Sequence, residues 1–352
     1  MRIPKNQRFY YVFVGTYGSE ENEAIQILLF DSKDGRLSKV GSSSQIANPS
    51  FLTVNKDQSR LYAVSEMVLG EVVSYDLDLA SGRLTEINRQ SITSSSPCYV
   101  SLDDNEQWLF TTNYGGGSIT VLPLKEDGAI SPLTDIKSYI DIQQQRTSHP
   151  HQIKNIPHTD KYLVTDLGLD RIYLYHFNRE TSKLEFINEV ACEPSSGPRH
   201  LTMHPELRNV YVANEFDSSI SVYTYDEAVE SLKPVQQIKT IPSDFAGDNY
   251  CADIHISPCN SFLYVSNRGH NSIATYTIVD DGKLEMLTCS PTMGEWPRNF
   301  TIVPNREYIL VANQHTHSIV VMKIGERGVP QATGVTYPVN SPACLRITLK
   351  RG

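Results

Sequence analysis

Arginine matches a carboxylate or phosphate well, because its planar fork donates two parallel hydrogen bonds and keeps its charge at any ordinary pH. Three arginines in this chain, Arg199, Arg268 and Arg298, stand in similar settings (GPRH, SNRG and WPRN), and Glu215 closes the related string VANE. Histidines crowd the same stretches: His149 and His151 in SHPHQ, His200 beside Arg199, His255 in ADIHI and His270 after SNRG. Imidazoles and carboxylates are the usual proton acceptors near neutral pH, and guanidinium groups steady a developing oxyanion. Gathered in one place, such a set would hold a small anion and move a proton beside a polarised carbonyl.

Whether they gather depends on the elements that carry them, and the chain is repetitive. Six segments stack on one another: PSFLTVNKDQSRLYAVSE from Pro49, PCYVSLDDNEQWLFTTNY from Pro97, PHQIKNIPHTDKYLVTDL from Pro150, PRHLTMHPELRNVYVANE from Pro198, ADIHISPCNSFLYVSNR from Ala252 and PRNFTIVPNREYILVANQ from Pro297. By subtraction the lead positions lie 45 to 54 residues apart, the length of a propeller blade. Each unit reads as a short strand, a polar turn, a second strand such as LYAVS, a polar corner, a third strand such as SISVYTY and a less regular fourth. Apolar and polar residues alternating between turn clusters mark half-buried strands. The N-terminal YYVFVGTYG and IQILLFD match second and third strands, while SPACLRITL near the C-terminus matches a lone first strand led by Pro342. We therefore expect one all-β domain over residues 1–352, a seven-bladed β-propeller of four-stranded antiparallel blades. Its ring closes because the N- and C-terminal strands share one blade, which protects the sheet edges. An open β-solenoid, the competing architecture, has no need of that split unit.

In an antiparallel pair the start of the first strand lies level with the end of the second. Residues just after each lead position and just after each second strand should thus meet at one end of the central channel. The first set is Ser50, Cys98, His151, Arg199, Asp253, Arg298 and Ala343; the second includes Glu66, Tyr114, Asp166, Glu215, Arg268 and Gln314. Three guanidiniums converging from neighbouring blades repel one another unless an anion lies among them, and the plainer alternative is structural pairing with Glu215 and Asp253. The recurrent Asn or Asp at the end of the second strand (Asn113, Asp166, Asn214, Asn267, Asn313) reads most simply as a turn residue binding nearby backbone. On the same plain reading His255 is a satisfied core histidine, and His158 and His204, in first turns, face solvent.

Other signatures are absent: no GxSxG elbow, no P-loop and no HExxH occurs. The run Gly115 to Gly117 lacks a following helix and reads as a tight corner. His149 and His151 point to the same side of an extended chain, but with no third ligand in view no metal is expected, and no cofactor. The 31 Lys and Arg against 40 Asp and Glu give a net charge of −9, which argues against nucleic acid or an anionic membrane as partner. Six cysteines show no CxxC pair and read as reduced thiols. The start, MRIPKNQRFYYVFVGTYG, has no apolar stretch of signal-peptide length, and no run approaches a membrane span; the expected location is cytoplasmic.

NYGGGSI, SHPHQI with TDLGLDRIYLY, GPRHLTMHP with VYVANE, ADIHISP with LYVSNRGHNSI, and WPRNF with LVANQ together make the chain resemble the lactonase propeller family. That family includes cycloisomerase-type 6-phosphogluconolactonases and 3-carboxy-cis,cis-muconate lactonizing enzymes. The resemblance covers essentially the whole chain. It implies a seven-bladed propeller with a histidine, two arginines and a glutamate as the catalytic set at the channel mouth. By motif these are His149 or His151, Arg199, Glu215 and Arg268; the stacking favours His151. Departures fall mainly in turns, such as Pro258-Cys259-Asn260, and in Ser65-Glu66 where NE is common. The implied activity is hydrolysis of a small anionic sugar lactone, 6-phospho-D-glucono-1,5-lactone foremost, in the pentose phosphate route. Glu215 or His151 would be the general base, Arg199 and Arg268 would bind oxyanion and anion, and Arg298 and His200 would support them. His149, Asp253, His255 and Gln314 would complete the substrate-binding surface. The alternatives are a carboxymuconate-type lactonizing cycloisomerase, which moves a proton at carbon beside a carboxylate, and a non-catalytic propeller scaffold.

Overall fold

The computed structural model describes residues 8–141 and 146–351. Among the described residues, seven four-stranded antiparallel sheets and one short two-stranded ribbon, Ile140–Asp141 with Arg146–Thr147, form the molecule. From blade 1 to blade 7 the innermost strands are Pro342–Leu349, Leu52–Val54, Pro97–Leu102, Pro150–Asn155, Pro198–Met203, Tyr250–Ile256 and Pro297–Ile302. Each packs against the innermost strand of the next blade, and the last against the first, so the sheets close into a ring. Blade 1 takes its inner strand from the C-terminus and its other three, Phe9–Thr16, Ile25–Asp31 and Arg36–Ser43, from the N-terminus.

The second strands lie between neighbouring blades on both faces, which is why Arg60–Ser65, Trp108–Asn113, Lys161–Asp166 and Tyr308–Asn313 are almost wholly buried. The fourth strands, such as Lys183–Ala191 and Pro330–Pro338, are largely exposed. Tyrosine suits this arrangement because its ring fills the gap between blades while its hydroxyl reaches a backbone acceptor. Tyr211 donates to the carbonyl of Gly282 at 2.8 Å and Tyr264 to that of Gly328 at 2.7 Å, each in the next blade. The first turns are held by a side chain accepting two amides, as Asp103 does from Gln107 and Trp108. His204 occupies the same slot in blade 5: its Nδ1 accepts the Glu206 and Leu207 amides, and the residue is buried instead of facing solvent. His158 is exposed.

A β-bulge recurs just behind the lead position. Pro97 pairs with Asn113 but Tyr99 with Thr112, which leaves Cys98 unpaired; the same slip frees His151, Arg199, Arg298 and Ala343. A bulge bends its strand and re-aims the extra residue, and here it supplies one side chain per blade to the channel mouth. Blade 6 differs from the expectation. Cys251 pairs with Asn267 and Ile254 with Val265, so Ala252 and Asp253 stand opposite Ser266, the same one-residue slip, and Cys251 holds the place of the lead proline. Ala252 therefore holds the position expected for Asp253, which lies one residue deeper.

Among the described residues all six cysteines are free thiols, four of them buried. No helix is long and apolar enough to cross a membrane.

Candidate functional site

Two rings of side chains meet at one end of the channel. The bulged residues Ser50, Cys98, His151, Arg199, Ala252, Arg298 and Ala343 make the lower ring. Residues just past the second strands make the upper one: the amides of Tyr17, Glu66, Tyr114, Leu167, Glu215 and Gln314 each donate to the carbonyl that precedes a lead proline. Arg268, opposite Tyr250, completes the level. Five of those pre-proline residues, Asn48, Ser96, Gly197, Trp296 and Ser341, have φ between +42° and +66°, a left-handed conformation that costs a non-glycine about 1–2 kcal/mol. The turn folds the chain sharply over the mouth and sets the two rings at one depth.

The recurrent Asn at the strand ends is structural, as its plain reading holds. Asn214 Nδ2 binds the hydroxyls of Ser219 and Ser221, and Asn267 Nδ2 binds the Thr240 carbonyl. Asp166 collects the Ser148 hydroxyl and the amides of His149, Gly168 and Leu169. These bonds stiffen the corners that carry the upper ring. The triple glycine is a corner as well: Gly117 has φ +58°, and a Cβ on Gly116 would meet Ser94 Oγ at 1.9 Å.

Three cations and one carboxylate dominate the centre. Glu215 Oε2 lies 2.8 Å from Arg199 Nε and 2.7 Å from Arg268 Nη2. Backbone carbonyls fix both arginines, Ala252 at 2.7 Å from Arg199 Nη1 and Cys251 at 3.0 Å from Arg268 Nη2. Burial alone would raise the Glu215 pKa, but the charges of Arg268 and Arg199 outweigh it and hold the carboxyl below its usual range. Burial, followed by repulsion from Arg268, brings Arg199 down to about 10. Arg298 differs in kind. Among the described residues its guanidinium has no hydrogen bond or ion pair to a protein acceptor and rests over the Tyr17 ring at 5.1 Å. Burial works against its charge, yet Tyr17, Glu66 and Glu215 more than compensate and keep it firmly protonated.

The histidines separate by depth. His151 and His200 line a cavity of about 10 Å³ together with Ser50, Phe51, Cys98, Arg199, Arg298, Asn299 and Ala343. Their rings lie 5.0 Å apart at 69°. His200 Nδ1 is 2.9 Å from Asp253 Oδ1, and Asp253 also receives His255 Nε2 at 2.8 Å and the Asn299 amide. Burial and then the Arg199 charge depress His200 to about 4, with Asp253 opposing them; burial, Arg199 and His200 push His151 well down. Both imidazoles are neutral at neutral pH. His149 instead stacks on Tyr114 at the rim, with Nδ1 2.8 Å from the Tyr114 carbonyl.

The expected residues thus fall into tiers. His151, Arg199, His200, Arg298, Glu215 and Arg268 come together. His149 and Gln314 belong to the rim, the latter with its amide on the Trp296 carbonyl. Asp253 supports from below with both oxygens engaged, and His255 lies deeper, in the tier that also holds Lys154 and Arg346. Sequence reasoning passed over Tyr17, whose hydroxyl donates to Glu66 Oε2 at 2.8 Å, and Trp296, whose ring lies 5.4 Å from the Arg268 guanidinium. Tyr17 holds in the split blade the position of Glu215 in blade 5, which was the signal available. Among the described residues no group of three or more His, Cys, Asp or Glu could hold a metal ion.

Comparison with known proteins places the chain in a family. The family model described as "Lactonase, 7-bladed beta-propeller" matches residues 11–347. A 6-phosphogluconolactonase of Bacillus subtilis is 31% identical over 340 residues, covering 94% of this chain and 97% of that protein. Another from Formosa agariphila is 30% identical, covering 96% and 99%. The solved structure of a periplasmic gluconolactonase from Pseudomonas aeruginosa superposes with a TM-score of 0.89 at 30% identity, covering 96% of this chain and 99% of that one. Matched over nearly its whole length in sequence and fold, the chain belongs to the lactonase family of seven-bladed β-propellers.

Proposed function

We propose that the protein opens a small anionic sugar δ-lactone by hydrolysis, with 6-phospho-D-glucono-1,5-lactone as the foremost substrate, in the cytoplasm and in the pentose phosphate route. The observation that carries this reading is Arg298. A guanidinium that lines the cavity and has no acceptor among the described residues, beside two others already shared by one carboxylate, is a standing receptor for a carboxylate or phosphate. In this reading Arg298 takes the anionic group of the substrate, and Arg199 and Arg268 face the lactone carbonyl, where their charge steadies the oxyanion. Glu215 holds those two guanidiniums side by side. The names of the Bacillus and Formosa relatives favour the phosphorylated lactone, and that of the Pseudomonas neighbour an unphosphorylated one.

The test is turnover by the purified protein of 6-phosphoglucono-δ-lactone, glucono-δ-lactone and 3-carboxymuconate in parallel. Preference for the phosphorylated lactone supports the proposal, turnover of carboxymuconate alone makes the protein a lactonizing cycloisomerase, and none of the three leaves a scaffold role.

A further inference from the structure

We propose that the cavity beneath the arginines seats the water that attacks the lactone carbonyl, and that the Asp253–His200 pair takes its proton. This step rests on the lactonase reading above. Three polar atoms on residues that line this cavity, His151 Nδ1, His200 Nε2 and Ser50 Oγ, are buried and have no partner among the described residues. Their residues are 5%, 3% and 3% exposed. A buried polar atom without a partner is costly, and a space of about 10 Å³ lined by the residues that carry three such atoms meets the needs of one water molecule, which takes roughly one probe sphere and two to four polar neighbours. Arg199 and Arg298 line the same cavity, so a water there lies directly under the groups assigned to the substrate.

The hydrogen-bond pattern selects the base. Asp253 is acceptor-only when ionised, so its contact with His200 Nδ1 fixes the proton on that nitrogen and leaves Nε2 as a lone pair. Among the described residues His151 makes no ring hydrogen bond, and it serves as the second anchor of the water. Glu215 is the poorer acceptor, because protonating it would leave Arg199 and Arg268 repelling one another. In the step itself the water oxygen bonds to the carbonyl carbon while one of its protons passes to His200 Nε2, and the carbonyl π pair moves onto oxygen. Collapse breaks the ring C–O bond, the leaving oxygen takes the proton back from Nε2, and the new acid loses its own proton to solvent. Asp253 stays ionised throughout and steadies the transient imidazolium.

The groups facing His200 are Asp253, which favours its protonation, Arg199 and Arg346, which oppose it, His151, and the rings of Phe51 and Tyr99. An anion bound among the arginines offsets the opposing charges, so substrate strengthens the base that acts on it. The acid limb of kcat, which reports the complex, should therefore lie at higher pH than that of kcat/KM, which reports the free protein.

The experiment compares the full-length protein with His200→Gln and Asp253→Asn on the preferred lactone, with thermal melts as a check on folding. His200→Gln should lower kcat by about 100-fold or more and leave KM within about threefold. Hydroxylamine, a nucleophile that needs no base, should restore ring opening in His200→Gln but not in Arg268→Ala. Nitrogen NMR of the resting protein should show His200 protonated on Nδ1. A wild type that opens no lactone overturns the functional reading and the proton transfer with it. An active wild type with His200→Gln near full kcat, or without hydroxylamine rescue, overturns the base assignment alone. A His200 that carries its proton on Nε2 does so too, whatever the substrate.

Discussion

Replacing Glu215 by Gln should weaken catalysis and at the same time tighten the binding of a simple anion. The carboxylate neutralises two guanidiniums at 2.8 and 2.7 Å, and the amide keeps the shape without the charge. An anion bridging Arg199 and Arg268 would lie about 5 Å from the Glu215 carboxylate, where 332/(εr) with an effective dielectric of about 20 gives about 3 kcal/mol of repulsion. Salt screens such a buried pair only weakly, so removing the charge should improve the affinity for inorganic phosphate by about 100-fold. Without their shared acceptor the two guanidiniums drift apart, and misplacement of about 1 Å costs on the order of 100-fold in rate. Calorimetric titration with phosphate at low and at physiological salt, beside lactone turnover, reads both effects. Unchanged or weaker phosphate binding together with full turnover would refute the electrostatic account of the site.

Three further outcomes follow from the same geometry. Arg298→Ala should raise KM for the phosphorylated lactone by about 10 to 100-fold, the worth of a charge-assisted hydrogen bond, and barely change that for glucono-δ-lactone; steady-state kinetics on the two substrates checks it. Folded His200 has its pKa at about 4 against about 6.5 unfolded, so the unfolded chain binds the extra proton between those values. Stability should fall by about 3 kcal/mol as pH drops through that window and level off below it as far as His200 is concerned, and denaturant titrations of wild type and His200→Gln would show the difference. Burial brings Lys154 down to about 8 while, among the described residues, its ammonium has only the Leu201 carbonyl at 3.3 Å; Lys154→Met should stabilise the fold by about 1–3 kcal/mol at pH 7, measured the same way.

The ring and the mouth of its channel were readable in the sequence because two independent periods agree there. The spacing of the lead positions gives the blades, and antiparallel register then brings His151, Arg199 and Arg298 level with Glu215 and Arg268. Asp253 came out one residue from its place because blade 6 has Cys251 where most blades have the lead proline, so its lead was set one residue late, at Ala252. His204 looked solvent-facing because a turn cap is usually Asp or Asn, as at Asp103, and an imidazole in that role leaves no familiar pattern. The contact between His200 and Asp253 joins residues 53 apart, one blade repeat, and it was hidden because the lead of blade 6 was set at Ala252 instead of Cys251. Tyr17 was obscured by the split blade, where the partner of its strand lies at the other end of the chain.

The bulge behind each lead position also bears on how such a protein can change its chemistry. The side chain it frees takes no part in the ladder and little in the wedge between blades, so that slot tolerates exchange without asking the scaffold to adapt. A histidine, two arginines, a serine, a cysteine and two alanines fill the seven slots here; a different selection on the same wheel would recognise a different guest, with the spokes left as they are.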